Sequence, residues 1–159
     1  MNTVDQHLSR CVELAEEALN AGDAPFGSVL VDAMGTVLRE DRNRVNTVAK
    51  TYHPEIELAR WAAENLSLEQ RKKTVMYTSG EHCPMCSAAH GWAELGKVVY
   101  IHSTQHLTAW HQEFGLSGSR VKQLPISDVV PELEVEGPID DLLPQMYQLH
   151  KRYISSKTG

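Results

Sequence analysis

Apolar residues recur at helical spacing near the start of the chain. Leu8, Val12, Ala15 and Leu19 share one face of a helix over Val4 to Asn20, with Thr3 and Gln6 spaced as a capping box and Gly22 as a stop. The pattern then shortens. GSVLV (Gly27 to Val31) and TVL (Thr36 to Leu38) flank the turn-like DAMG and read as a hairpin, while Arg39, Arg42 and Arg44, interleaved with Glu40 and Asp41, read as a solvated turn. Helical spacing returns over Pro54 to Leu66, where Ile56, Ala59, Ala63 and Leu66 recur on one face. Pro54 suits a first helical position, where no amide donor is needed. His53 thereby sits at a helix start.

The run Thr74 to Thr78 is strand-like, and Pro84 to Leu95 is helical up to Gly96, so Cys83 and Cys86 open a second such helix. Lys97 to Ile101 reads as a buried strand and Thr104 to Phe114 as a short helix before the GLSG loop. Leu133 to Val135 reads as a strand and Asp140 to Ile154 as a last helix. The order α-β-β-α-β-α-β-α-β-α predicts an α/β fold, a three-layer α/β/α sandwich around a five-stranded sheet, as a single domain over residues 1–159.

Charge and cysteine content narrow the function classes. A net charge of −6 repels polyanions, which disfavours nucleic acid as a partner. No stretch reaches the length of a membrane span, and MNTVDQHLSR lacks the basic start and apolar middle of a signal peptide, so the expected compartment is the cytoplasm. Three cysteines, two of them separated by two residues, make a poor disulfide framework and suit thiolate ligation in a reducing compartment.

The chemistry lies in two short motifs, HPE at His53 to Glu55 and CPMC at Cys83 to Cys86. Alone, Cys-x-x-C is as easily a redox pair and His-x-Glu an accident of composition. Together they have the form of the zinc nucleobase deaminases. Zinc prefers four tetrahedral ligands, and a catalytic site keeps one position for water, so His53, Cys83 and Cys86 supply three. Helix starts favour negative charge and help hold the cysteines as thiolates. Glu55, two residues from the histidine, is placed to carry protons between the nucleophile and the substrate.

On these motifs the chain resembles the cytidine deaminase-like superfamily, in its free-base and transfer-RNA branch of guanine, cytosine and adenosine deaminases. The likeness runs from Val4 to Ile101 through DAPFGSVLV at Asp23 to Val31, Asn43, HPE, and EHCPMC onward to Trp92. It implies a mixed central sheet, zinc as cofactor, a homodimer, and hydrolysis of an exocyclic amine on a small heterocycle with release of ammonia. Guanine-like purines come first among substrates, then cytosine, pterins or aminotriazines. It further implies Asn43 as a substrate contact, Phe26 on the wall of the base pocket, and Trp92 where guanine deaminases place a tryptophan. Two features depart from the pattern. His82 stands where the family has proline before the first cysteine, and EFGLSG (Glu113 to Gly118), where the guanine branch carries an acid, has one only at Glu113.

Two further readings stay open on sequence. His90, one helical turn beyond Cys86, would close a structural, non-catalytic zinc site with His53, Cys83 and Cys86. A transfer-RNA adenosine deaminase shares every motif but needs a basic face. His7, His102, His106, His111 and His150 have no competing ligand spacing and read as surface or satisfied core positions, and Cys11 as a small packing residue. Tyr153 reads either as a contact to a neighbouring subunit's pocket or as part of an ordinary tail.

Overall fold

The computed structural model describes residues 3–158, with side chains from Gln6 to Lys157. The cap expected from Thr3 to Gln6 falls outside the described side chains. The elements run α1 (Thr3–Asn20), β1 (Gly27–Val31), β2 (Val37–Arg42), α2 (Pro54–Asn65), α3 (Leu68–Lys72), β3 (Val75–Gly80), α4 (Pro84–Trp92), β4 (Val98–His102), α5 (Thr104–Glu113), α6 (Ile126–Val129), β5 (Val135–Glu136) and α7 (Leu143–Thr158), the last preceded by a 3-10 turn at Asp140–Leu142. The strands form one mixed five-stranded sheet in the order β2-β1-β3-β4-β5. β1 is antiparallel to both β2 and β3, whereas β3, β4 and β5 are parallel. Parallel neighbours require crossovers, which α4 supplies between β3 and β4 and α5 with α6 between β4 and β5. Among the described residues, no helix is long and apolar enough to cross a membrane.

Alternation along the central strands divides the interior into two cores. Val29, Val31, Tyr77, Val99 and Ile101 pack with Leu8, Cys11, Leu14 and Ala15 of α1, Trp110 of α5, and Met146 and Leu149 of α7. Leu30 and Met76 face the other way, onto Leu58, Ala59 and Ala62 of α2 and Leu95. These are the three layers that the order of elements implied.

Three details of the sequence reading change. The charged residues Arg39 to Arg42 belong to β2, paired from Gly27↔Arg42 to Val31↔Val37, and are not a turn. An edge strand leaves one flank in water, so it tolerates charge, and Arg10 binds Glu40 there at 2.7 Å. On α2 the buried stripe is Glu55, Leu58, Ala59 and Ala62, one position round from the face marked by Ile56 and Ala63. Glu55 was the obstacle, being a carboxylate on the inward face. The short helices α3 and α6 had no apolar period long enough to reveal them.

Gly27 shows how closely α1 lies on β1. A β-carbon there would stand 2.4 Å from Leu14 Cβ and 2.7 Å from the Cys11 carbonyl oxygen. Neither can withdraw without lifting the helix. Gly27→Ala is expected to destabilise the fold by about 1–3 kcal/mol, as overpacking does. Gly118→Ala, where nothing lies within 4 Å, is expected to be neutral. Urea unfolding of the two variants checks the contrast.

Candidate active site

Two helix starts meet on one side of the sheet. His53 is the N-cap of α2 and Cys83 the N-cap of α4, each followed by proline and neither using its side chain as a cap. Both side chains turn to one another instead. His53 Nδ1 lies 3.5 Å from Cys83 Sγ and 3.6 Å from Cys86 Sγ. Nitrogen and sulfur bound to zinc at roughly 2.1 and 2.3 Å in tetrahedral geometry stand about 3.6 Å apart, so the trio has the spacing of a zinc tetrahedron's edges. All three ligand atoms lie within 4.8 Å of one another. The hydrogen bond from Cys86, helped by His53 against the cost of burial, pulls the Cys83 thiol down to about 4. Cys86, as the proton donor of the pair, is held well above the ordinary thiol value. A thiolate is the charged form that metal ligation requires.

Glu55 lies on the first turn of α2 and is 5% exposed. Its Oε1 accepts hydrogen bonds from Ser28 Oγ of β1 at 3.2 Å and Thr78 Oγ1 of β3 at 3.3 Å. These hydroxyls hold the carboxylate against the sheet. Burial lifts its carboxyl to about 7, with the neighbouring His53 pulling the other way. Asn43, 2% exposed, accepts the Val45 amide on Oδ1 at 2.9 Å, which orients the side chain. Phe26, Asn43, His53, Glu55 and Cys83 line one cavity of about 270 Å3.

Residues 1–102 match the family described as the cytidine and deoxycytidylate deaminase zinc-binding region. The chain belongs to that family of zinc-dependent deaminases. Zinc is its cofactor, with His53, Cys83 and Cys86 as the ligand set. The guanine deaminase of Bacillus subtilis (strain 168) is 41% identical over 95 residues, 58% of this chain and 60% of that protein. A probable cytosine deaminase of Schizosaccharomyces pombe is 30% identical over 112 residues, 69% of this chain and 66% of that protein. The matches thus span somewhat less than two thirds of those relatives' lengths. The solved guanine deaminase from Nitrosomonas europaea has the same fold, with a TM-score of 0.69 over 94% of this chain and 83% of that one at 18% identity.

The fold places three other sequence candidates away from the pocket. Trp92 is 88% exposed and is absent from the lining. Six residues beyond Cys86, it lies about 120° round α4 from that ligand, whereas His90, four residues beyond, lies only about 40° away. Trp92 therefore points outward, between one groove lined by Ile56, Arg60 and Met85 and another lined by Val129, Val130 and Pro131. His90 is buried but does not join the ligand cluster: its Nε2 bonds the Gly96 carbonyl at 2.7 Å, and its ring stands against His82 at 5.1 Å. The closed four-ligand site is not formed. Glu113 is bound by the Tyr147 hydroxyl at 2.6 Å and also lies outside the pocket lining.

Several residues in or beside the pocket were not marked as site residues by the sequence. Asp23, fully buried, accepts the amides of Asn46 and Thr47, the Thr47 hydroxyl and the Arg42 guanidinium, and so anchors the loop that follows Asn43. Glu81 accepts the Thr104 amide at 2.9 Å and the Ile126 amide at 2.7 Å, tying the starts of α5 and α6 to the end of β3. Tyr153 lines this chain's own pocket and accepts a hydrogen bond from Asn46 Nδ2 at 3.0 Å. His102, His111 and His150 also line the pocket, so the reading of them as scattered positions does not hold. Only their motif-free spacing hid them.

Purified protein is expected to hold about one zinc per chain. Cys86→Ala should abolish the binding and His90→Ala should leave it intact. Zinc analysis of both variants checks the ligand assignment.

Proposed function

We propose that the protein hydrolyses the exocyclic amine of a small amino-substituted heterocycle, releasing ammonia and leaving a carbonyl, with guanine-like purines as the favoured substrates and cytosine, pterins and aminotriazines behind them. The observation that carries this reading is a buried carboxylate, Glu55, in the same cavity as the zinc ligands His53 and Cys83 and held there by Ser28 and Thr78. When bound, zinc supplies the Lewis acidity that makes water nucleophilic at neutral pH. Glu55 takes one proton from the attacking water and gives it to a ring nitrogen, then takes the remaining proton of the same oxygen and gives it to the departing amine. Asn43 donates from Nδ2 to a ring carbonyl, and Phe26 offers its ring as a flat wall for the base.

Size and relationship favour a base. A cavity of about 270 Å3 lies just below the usual span of small-molecule pockets, roughly 300–1,000 Å3, and so suits a small ligand. The 41% identity to a guanine deaminase supports a purine. The net charge of −6 weighs against the alternative, transfer-RNA adenosine deamination. We further propose a homodimer formed through the face of α2 and α4 that carries the exposed Trp92. A single tryptophan so exposed, flanked by apolar grooves, suits an anchor at an interface.

Glu55→Gln is expected to lower ammonia release by about 10² to 10⁴ while zinc content and folding stay at wild-type values. Unchanged turnover of an accepted base by this variant would defeat the mechanism. Transfer RNA should bind at moderate salt no better than it does to an unrelated acidic protein. Tight, salt-sensitive binding with conversion of adenosine to inosine would move the assignment to RNA.

A further inference from the structure

The wall of the pocket carries a second group of polar atoms for which zinc ligation and proton transfer have no use. His102 ends β4 and is 1% exposed, and neither of its ring nitrogens has a hydrogen-bond partner. His150, on α7 and 2% exposed, likewise has an unpartnered Nε2. Both line the active-site cavity, and their ring centroids lie 4.8 Å apart with the planes nearly perpendicular. Phe26, the expected flat wall for the base, touches both, at 5.8 Å from His102 and 5.1 Å from His150. Buried polar side chains are nearly always partnered, so three unpartnered nitrogens on two residues that line one cavity point to a ligand.

The surroundings are shaped for this pair. A β-carbon at Gly80 would stand 2.6 Å from His102 Cε1 and 2.8 Å from its Nε2, so only glycine leaves room for the imidazole where β3 and β4 end side by side. Trp110 of α5 supports both rings, at 5.0 and 5.5 Å. Of the ionisable side chains nearby, Glu81 has both carboxylate oxygens occupied by backbone amides, while His106 and His111 act on His102, and His102 and His111 on His150. Burial keeps both imidazoles neutral, the Ser103 backbone pulling weakly the other way at His102 without meeting hydrogen-bond geometry.

A neutral imidazole has one N–H donor and one lone-pair acceptor. Two of them side by side can offer donors and acceptors without charge. We propose that His102 and His150 are specificity-determining residues that read the edge of the base remote from its reacting amine, and that they select a fused-ring base whose edge sets an imine nitrogen beside a ring N–H. The imine nitrogen accepts from one imidazole and the ring N–H donates to the other. This deepens the deaminase reading and rests on it, because it concerns which heterocycle that site accepts.

The test compares guanine with 7-deazaguanine, which keeps the ring shape and the amine but replaces the imine nitrogen by carbon. Zinc-loaded wild type is expected to favour guanine by at least about tenfold in kcat/KM, as a site built to bond a polar ring atom does. His150→Phe should bring that ratio to within about threefold, and His150→Gln should restore part of it. His102→Phe should act in the same direction. If the ratio is unchanged in His150→Phe while both rates fall together, the pair is packing only and the proposal is overturned. Equal use of the two bases by wild type, or turnover of cytosine but not of guanine, overturns it as well. Should wild type release ammonia from no base, the deaminase reading fails by itself. Calorimetric binding of the same two bases to the zinc-loaded proteins then decides the histidine pair by the same ratio, and absence of any binding to wild type overturns both. Zinc content and circular dichroism certify each variant, and His150→Gln carries the comparison if either phenylalanine variant fails to fold.

Discussion

The meeting of two helix N-termini over one face of the sheet is the constraint on which the site depends. His53 and Cys83 cap α2 and α4 by position while their side chains serve the metal, and Cys86 follows on the first turn of α4. Proline after each cap costs no hydrogen bond there and presets the backbone for the helix. The spacing of 3.5 to 3.6 Å between His53 Nδ1 and the two sulfurs holds only while α2 and α4 keep their mutual position. That position is set by the core of Leu30, Leu58, Ala59, Ala62, Met76 and Leu95 beneath them. Packing and ligation are therefore two aspects of one arrangement.

The sheet is more than a support for these helices. Ser28 and Thr78 are paired across β1 and β3, their hydroxyls 2.8 Å apart, and both reach Glu55. Placing small hydroxyls at the centre of an otherwise apolar sheet gives a buried carboxylate the partners that it would need in any state of charge. Gly27 lets α1 settle on the same strand from the other side. The remaining pocket walls are tied in by two carboxylates, Asp23 for the loop after Asn43 and Glu81 for the starts of α5 and α6. Each gathers backbone amides from distant segments, so each trades its own desolvation for the order of a loop.

The surface and the interior differ in electrostatic character. Outside, acidic residues outnumber basic ones, and many are paired in exposed bridges such as those of Arg10 with Glu13, Glu17 and Glu40. Such bridges contribute little stability individually. Inside, the cavity wall away from the metal trio combines aromatic and aliphatic side chains with neutral imidazoles and uncharged polar groups such as Asn43 and Gln123, with Glu81 spent on backbone amides. A pocket of this kind discriminates by shape and by the placing of single donors and acceptors.

The sequence by itself determined the local facts. Hydrophobic period and punctuation located the principal helices and strands, proline after His53 and after Cys83 marked two helix starts, and the paired motifs named the zinc ligands and the family. These are properties of residues within a few positions of one another, where backbone preference and side-chain periodicity act directly. Long-range packing decided the rest. The inward face of α2 was misjudged because Glu55 is buried only through hydroxyls on two strands far from it in the chain. Trp92 could be assigned to the pocket by its distance from Cys86 in sequence, but the turn of α4 carries it to the outer surface. His102 and His150 come from β4 and α7, and nothing local distinguishes them from ordinary core histidines. Their common wall exists only because the crossover connections bring the end of β4, α5 and α7 around Phe26, and proximity of that kind is a property of the folded chain, with no counterpart in spacing along it.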